Sequence, residues 1–455
     1  MKQFLFTISF IVIMLNAFSQ DKYWVFFTDK DGTNFDPYSY FDQKAIDRRL
    51  KNNISLYETS DFPVNENYIS EVNNLVDSIN IITRWFNGVS VFASQVQISD
   101  VEKLPFVKDI QPITAQSFVT SYQTDSILTF EENELLDNEM NAFQADYFID
   151  NKIDGSGIRI AVFDAGFPGV DTLRAFEHIR NDNRILKTYD FHKKNENVYD
   201  FNHHGTNVLS CIAGKIDGKN LGMATGAEFL LARTEITREI FVEEEYWLAA
   251  AEWADKNGAD IISSSLGYTV PRYFQKNMDG EFTLVSRAAK MASDKGILVV
   301  NAMGNDGDGN WKVVGAPADV EEVLSIGGID PYTNVCINFS SVGPTADGRL
   351  KPNVCAAGEA LVAGHRGGVQ ISYGTSFSTP LITGFAACAL QTDTSMTNME
   401  LKKNIEKSGH LYPYFDYAHG YGIPQASYFF GEQKPKVDTN FTFQFDDNII
   451  GSGLR

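Results

Sequence analysis

Four hydroxyl side chains stand within five residues of the stretch YGTSFSTPLITG: Thr375, Ser376, Ser378 and Thr379. A hydroxyl works as a nucleophile only with a base to take its proton, a group to orient that base, and donors for the oxyanion that forms. Residues of the right types stand elsewhere in the chain. Asp164 ends IRIAVFD, the adjacent His203 and His204 open an apolar-periodic run, and Asn305 ends VVNAMGN. Taken singly, each has an ordinary structural reading: a Ser/Thr cluster caps a helix, Asp164 and Asn305 close turns, and paired histidines sit in a surface loop. Adjacent histidines lack the i,i+3 or i,i+4 spacing that places two ligands on one helix face, and no HExxH stands nearby. A general base at a helix start is the other reading, where the dipole disfavours imidazolium and keeps the ring neutral.

These residues need elements to position them. Leu381, Ile382, Phe385, Ala386 and Leu390 recur at helical spacing and predict a helix from about Ser376 to Gln391. Pro380 cannot donate to the carbonyl of Ser376, four residues back, so Ser376 sits in an open first turn with unpaired N–H groups nearby. Ser378 faces elsewhere, about 200° around the helix, and Thr375 reads as the cap. From about Asp154, apolar strand-like runs (IRIAVFD, AEFLLART, ADIISSSLG, ILVVNAMGN) alternate with helical ones (EEYWLAAAEWADKNG, VSRAAKMASDKG). That alternation predicts an α/β fold, a mostly parallel sheet with helices on both faces, and ligands at the carboxyl ends of its strands. Asp164, Ser265-Leu266-Gly267 and Gly304-Asn305 all fall at such ends. The order along the chain is Asp, His, Ser, and the G-x-S-x-G elbow is absent because Ser378 stands where its second glycine would be.

With the parts assembled, the chain resembles the subtilisin-like serine peptidases, or subtilases. The resemblance rests on IAVFDAG, HGTNV, EWA followed by SLG, VVNAMGN, FSSVGP, KPNVCAAG and GTSFSTP, in the family's order, from about Gly155 to Ala426. It implies Ser376 as nucleophile, His204 as general acid/base, Asp164 as the carboxylate that holds the imidazole, and Asn305 as an oxyanion donor beside the Ser376 N–H. Ser265, Leu266, Gly267 and Gly304 correspond to the segments that bind substrate. Ala165, Asn207 and Leu209 depart from the family's commonest wording without removing a catalytic group. The implied reaction is peptide-bond hydrolysis through an acyl-enzyme. No cofactor is required; structural calcium, frequent in the family, is admitted but unplaced, as no EF-hand-like loop is present. The rivals are a catalytically silent secreted binding protein on the same scaffold and a metallohydrolase using His203 and His204.

The 455 residues divide into an expected signal peptide (1–19), a small α+β propeptide-like module (20–115), a polar linker or processing region (116–143), the catalytic domain (144–430) and a tail (431–455). The module resembles the family's inhibitory propeptide and implies a self-processed zymogen with its own propeptide as intramolecular inhibitor. The apolar run Phe4–Leu15 behind one lysine is too short to span a bilayer and implies export, to the medium or the cell envelope. A net charge of -21 argues against nucleic acid and anionic membranes as partners. Protein or peptide substrates are expected, and a monomer. Among the four cysteines, Cys211 and Cys388 read as buried thiols, and pairing of Cys336 with Cys355 stays open. His365 and His419 lie outside every motif and read as solvated or structural.

Overall fold

Along β1 (Asp21–Phe27) the side chains serve two cores: Tyr23, Val25 and Phe27 enter one, Trp24 and Phe26 the other, as the two-residue period of a strand dictates. The computed structural model describes residues 21–113, 129–236, 242–270 and 272–431. The expected signal peptide, residues 116–128 of the linker and the tail beyond Gly431 lie outside the described residues. Strand β1 pairs antiparallel with β3 (Gly88–Ala93) and β4 (Val107–Ile113), and β2 (Ser78–Thr83) flanks β3. Helices α1 (Pro37–Tyr40) and α2 (Gln43–Lys51) form a small lobe, while α3 (Glu66–Asn73) and α4 (Gln95–Val101) cover one face of the sheet.

Helix α5 (Phe130–Ala142) lies inside the stretch read as a linker. A capping box between Thr129 and Glu132 starts it, Leu135 and Leu136 enter the main core, and Glu139 accepts from the Leu361 amide at 3.0 Å. Its T-x-x-E start was legible in the sequence. Its apolar stripe was too narrow to stand out among the acidic residues. Helix α6 (Asp146–Asp150) follows.

Seven strands make the main sheet: β5 (Arg159–Asp164), β6 (Ile185–Asp190), β9 (Glu228–Arg233), β10 (Ile261–Ser264), β11 (Leu298–Ala302), β12 (Leu324–Ile329) and β13 (Val354–Ala357). They are parallel, in the order β13-β12-β11-β10-β5-β9-β6. Two short strands, β7 (Lys215–Ile216) and β8 (Lys219–Asn220), pair with each other, and β14 (Glu359–Ala363) with β15 (Val369–Tyr373) makes a hairpin. The remaining helices are α7 (Glu177–Asn181), α8 (His204–Ala213), α9 (Val242–Lys256), α10 (Leu284–Asp294), α11 (Thr375–Thr392) and α12 (Asn398–Ser408). Ile160 and Val162 of β5 pack with α8 and α11, whereas Ala161 and Phe163 pack with α9 and α10. Burial on both faces explains why these strands read as unbroken apolar runs.

The N-terminal module lies against α9 and engages its carboxylates Glu245, Glu252 and Asp255. Glu245 pairs with Lys22 at 2.8 Å and accepts from Asn80 at 2.9 Å and Ser90 at 2.6 Å. Glu252 accepts from the Thr83 hydroxyl and the amides of Arg84 and Trp85. Asp255 pairs with Arg48 and Arg49, and Arg49 also grips Asp61 at 2.7 and 3.2 Å. Charges buried this deeply persist only when paired and hydrogen-bonded.

Candidate active site

Asp164 is the last residue of β5 and is fully buried. Its Oδ1 accepts from the Ala165 amide at 2.7 Å. His204 Nδ1 lies 2.9 and 3.0 Å from the two Asp164 oxygens. A proton on Nδ1 leaves Nε2 as an acceptor in the neutral ring. The approach requires Gly205: a Cβ there would stand 2.4 Å from the Gly166 carbonyl oxygen and 2.9 Å from Asp164 Cβ. The helix dipole was expected to disfavour imidazolium. Burial works in the same direction, yet Asp164 outweighs it and raises the His204 pKa above its ordinary value.

Helix α11 begins one residue earlier than expected. Gly374 is its N-cap residue and Thr375 is its first helical residue, so Thr375 is not the cap. Both the amide (2.8 Å) and the hydroxyl (2.9 Å) of Thr375 donate to Asn305 Oδ1. That fixes the amide plane of Asn305, whose Nδ2 donates to no acceptor among the described residues. Ser376 Oγ rests 3.3 Å from the Ser265 carbonyl oxygen, and no hydrogen bond joins it to His204. Ser265 Oγ in turn donates to the Ser376 carbonyl at 2.8 Å. Ser378 donates to Ala357 and Thr379 to Thr375, both buried, which makes them structural.

The substrate-segment residues continue from these strands. Ser265-Leu266-Gly267 follows β10 directly; the Leu266 carbonyl is held by Asn301 Nδ2 at 2.9 Å, and the Cα of Gly267 faces open space. The Gly304 carbonyl accepts from the Ser341 amide at 2.9 Å, which anchors the turn that presents Asn305. The fold therefore gathers Asp164, His204, Ser265, Asn305 and Ser376 at one end of the sheet. His203 turns away and stacks on His365, ring centroids 4.6 Å apart. Sequence reasoning missed the role of Thr375 as the partner of Asn305, because the two are 70 residues apart. His419 does have a structural role: its Nε2 accepts from the Cys336 amide and its Nδ1 pairs with Asp416. All four cysteines are free. No group of three or more His, Cys, Asp or Glu side chains among the described residues is arranged to hold a metal ion, and no described helix is long and apolar enough to cross a membrane.

A seven-stranded parallel sheet between two helix layers, with Asp, His and Ser converging at its carboxyl edge, is the architecture of a subtilisin-like serine peptidase. The model of the subtilase family matches residues 155–422, and that of the peptidase S8 propeptide domain of Bacteroidota matches residues 22–126. The chain belongs to the subtilase family, a family of serine endopeptidases, and carries its propeptide domain. It is 30% identical over 267 residues to a thermophilic serine proteinase of Bacillus sp. (strain AK1), an alignment covering 58% of this chain and 59% of that protein. It is 27% identical over 311 residues to serine protease AprX of Bacillus subtilis (strain 168), covering 61% of this chain and 67% of the relative. Among solved structures, fervidolysin from Fervidobacterium pennivorans, described as a keratinolytic enzyme related to subtilisin, matches 92% of this chain and 62% of its own at a TM-score of 0.63 and 18% identity. Subtilases commonly bind structural calcium.

Proposed function

We propose that the protein is an exported serine endopeptidase, made as a zymogen that processes itself, with Asp164, His204, Ser376 and Asn305 as its catalytic residues. The observation that carries this reading is the buried Asp164–His204 pair, at 2.9 and 3.0 Å, beside a serine in the open first turn of α11. A substrate strand lies along Ser265-Leu266-Gly267, with Gly304 beside Asn305 at the reacting carbonyl. A backbone N–H of the substrate competes for the Ser265 carbonyl and releases the Ser376 hydroxyl toward His204 Nε2. Catalytic hydrogen bonds often tighten only in the complex.

Ser376 Oγ then attacks the peptide carbonyl as His204 takes its proton. The C–N bond breaks as His204 returns the proton to the leaving amine, and water resolves the acyl-enzyme by the same sequence. Asp164 holds the tautomer and stabilises the imidazolium. Asn305 Nδ2 and the Ser376 N–H receive the oxyanion. The leader at residues 1–19 carries the chain across a membrane, and the module on α9 serves as the intramolecular inhibitor until it is released.

The test is expression of the full chain and of Ser376→Ala. Wild type is expected to separate into two fragments between the modules and to take up a fluorophosphonate on Ser376, while the variant stays whole. Equal processing of both chains would exclude self-cleavage. Absence of label on the processed wild type would favour a silent binding protein instead.

A further inference from the structure

One residue past the end of β9, the Thr234 amide donates to the Asp164 carbonyl at 2.9 Å. Glu235 follows, 8% exposed, its Oε1 accepting from the Thr234 hydroxyl at 3.2 Å and from the Tyr268 hydroxyl at 3.0 Å. Tyr268 comes directly after Ser265-Leu266-Gly267, and its backbone is tied to Ala316. Glu243 of α9, 2% exposed, contacts Glu235 and accepts from the Ile236 amide at 3.0 Å. Two buried carboxyls in contact resist carrying two charges. Burial drives the Glu235 pKa up to about 7, against the hydrogen bonds from Tyr268 and Thr234. The groups facing this pair are Asp164 from β5, His204 from α8, Glu244 from α9, and Tyr268 and Arg272 from the segment after β10. No step of acyl transfer consumes Glu235.

We propose that Glu235 is a positioning residue for the acyl-transfer centre: through Tyr268 it ties the substrate-pairing segment to the strand of Asp164, and its carboxylate adds to the field that stabilises the His204 imidazolium. The inference rests on the peptidase reading above. A negative charge there favours the protonated ring, so losing that charge lowers the proton affinity of His204. As pH falls, protonation of Glu235 in turn lowers the proton affinity of His204, so the acid side of the rate profile falls less steeply than an isolated imidazole gives.

The test is kcat/KM for a peptide substrate from pH 5 to 9, using processed wild type, Glu235→Gln and Tyr268→Phe, with thermal unfolding as the check on folding. Wild type is expected to show an acid limb slightly shallower than one ionisation gives. Glu235→Gln is expected to have its acid limb displaced by up to about half a pH unit to lower pH, so that near pH 7, where wild-type Glu235 still carries charge, it keeps about 1.5-fold more of its plateau rate. Tyr268→Phe is expected to raise KM about threefold with kcat little changed, because the substrate segment loses its tie. A Glu235→Gln acid limb that coincides with that of wild type, in a variant that folds as wild type does, overturns the proposal. So does a Glu235→Gln profile that is merely scaled down at every pH, as a purely structural residue would give. Wild type that neither hydrolyses peptide nor takes fluorophosphonate label would instead sink the peptidase reading itself.

Discussion

The hydroxyl of Ser265 donates to the carbonyl of Ser376 at 2.8 Å, and that carbonyl is the one Pro380 leaves without its intrahelical donor. Proline lacks the N–H that would close the bond four residues back. The segment proposed to pair with substrate thus holds the backbone of the proposed nucleophile. Ser265→Ala is expected to lower kcat by about fivefold, the effect of one lost hydrogen bond of about 1 kcal/mol, with KM nearly unchanged. Adding Pro380→Ala restores an N–H donor and should return part of that loss. If the double variant recovers nothing, Ser265 acts by another route.

Asn305→Ala removes the proposed side-chain donor to the oxyanion. The expected loss is about 10²–10³ in kcat with KM preserved, the magnitude known for the corresponding asparagine of subtilisin. Thr375→Val keeps the amide bond to Asn305 Oδ1 but deletes the hydroxyl one, and a loss of about fivefold in kcat is expected. A rise in KM with kcat intact, in either variant, contradicts the assignment.

The two adjacent histidines separate cleanly by contact. His204 faces Asp164, whereas His203 stacks on His365. His204→Ala should abolish all but residual hydrolysis, and His203→Ala should keep at least about a third of wild-type kcat/KM. The reverse order would move the base to His203.

Asp255 is the shared anchor of Arg48 and Arg49 at the propeptide interface, and all three are buried. In the uncleaved Ser376→Ala chain, Asp255→Ala leaves the buried Arg48 without a carboxylate and Arg49 with Asp61 alone, and should cost about 3–5 kcal/mol. Denaturant unfolding would register this as an early loss of the N-terminal module. An unchanged transition would mean that water or other acceptors compensate the arginines.

Glu139 supplies a pH dependence of stability. Burial pushes its carboxyl up to about 8, with Oε2 unpaired against the core. The folded state then binds more protons than the unfolded chain between roughly pH 4.5 and 8, so stability falls as pH rises through that window. Thermal unfolding of the Ser376→Ala chain should show this decline, and Glu139→Gln should flatten it, leaving the variant the more stable form near pH 8. Parallel curves would mean that Glu139 ionises without strain.

The helix of Ser376, the strand end of Asp164 and the turn of Asn305 were legible because each is written in local pattern: helical spacing behind Pro380, apolar runs ending in a polar residue, a glycine before an asparagine. The α5 helix was less legible, since only Leu135 and Leu136 among its residues are fully buried in the core, Met140 and Ala142 packing on it partly, and acidic neighbours mask them. Thr375 looked like a cap because its hydroxyl sits at a helix start, and the sequence holds no sign that Asn305 would take that hydroxyl instead.

The sequence alone determined the α/β class, the order Asp164, His204, Ser376, and the open turn that Pro380 leaves at Ser376. These follow from the periods of strand and helix and from the missing N–H of proline, which act over a few residues. The tertiary structure decided how closely His204 approaches Asp164, which carbonyl receives the Ser265 hydroxyl, that Thr375 aims Asn305, and that Glu235 lies against Tyr268 beside the Asp164 strand. Those contacts join residues 33 to 111 positions apart. They exist only because parallel strands bring their carboxyl ends to one edge, a register that long crossover connections set and no local pattern encodes.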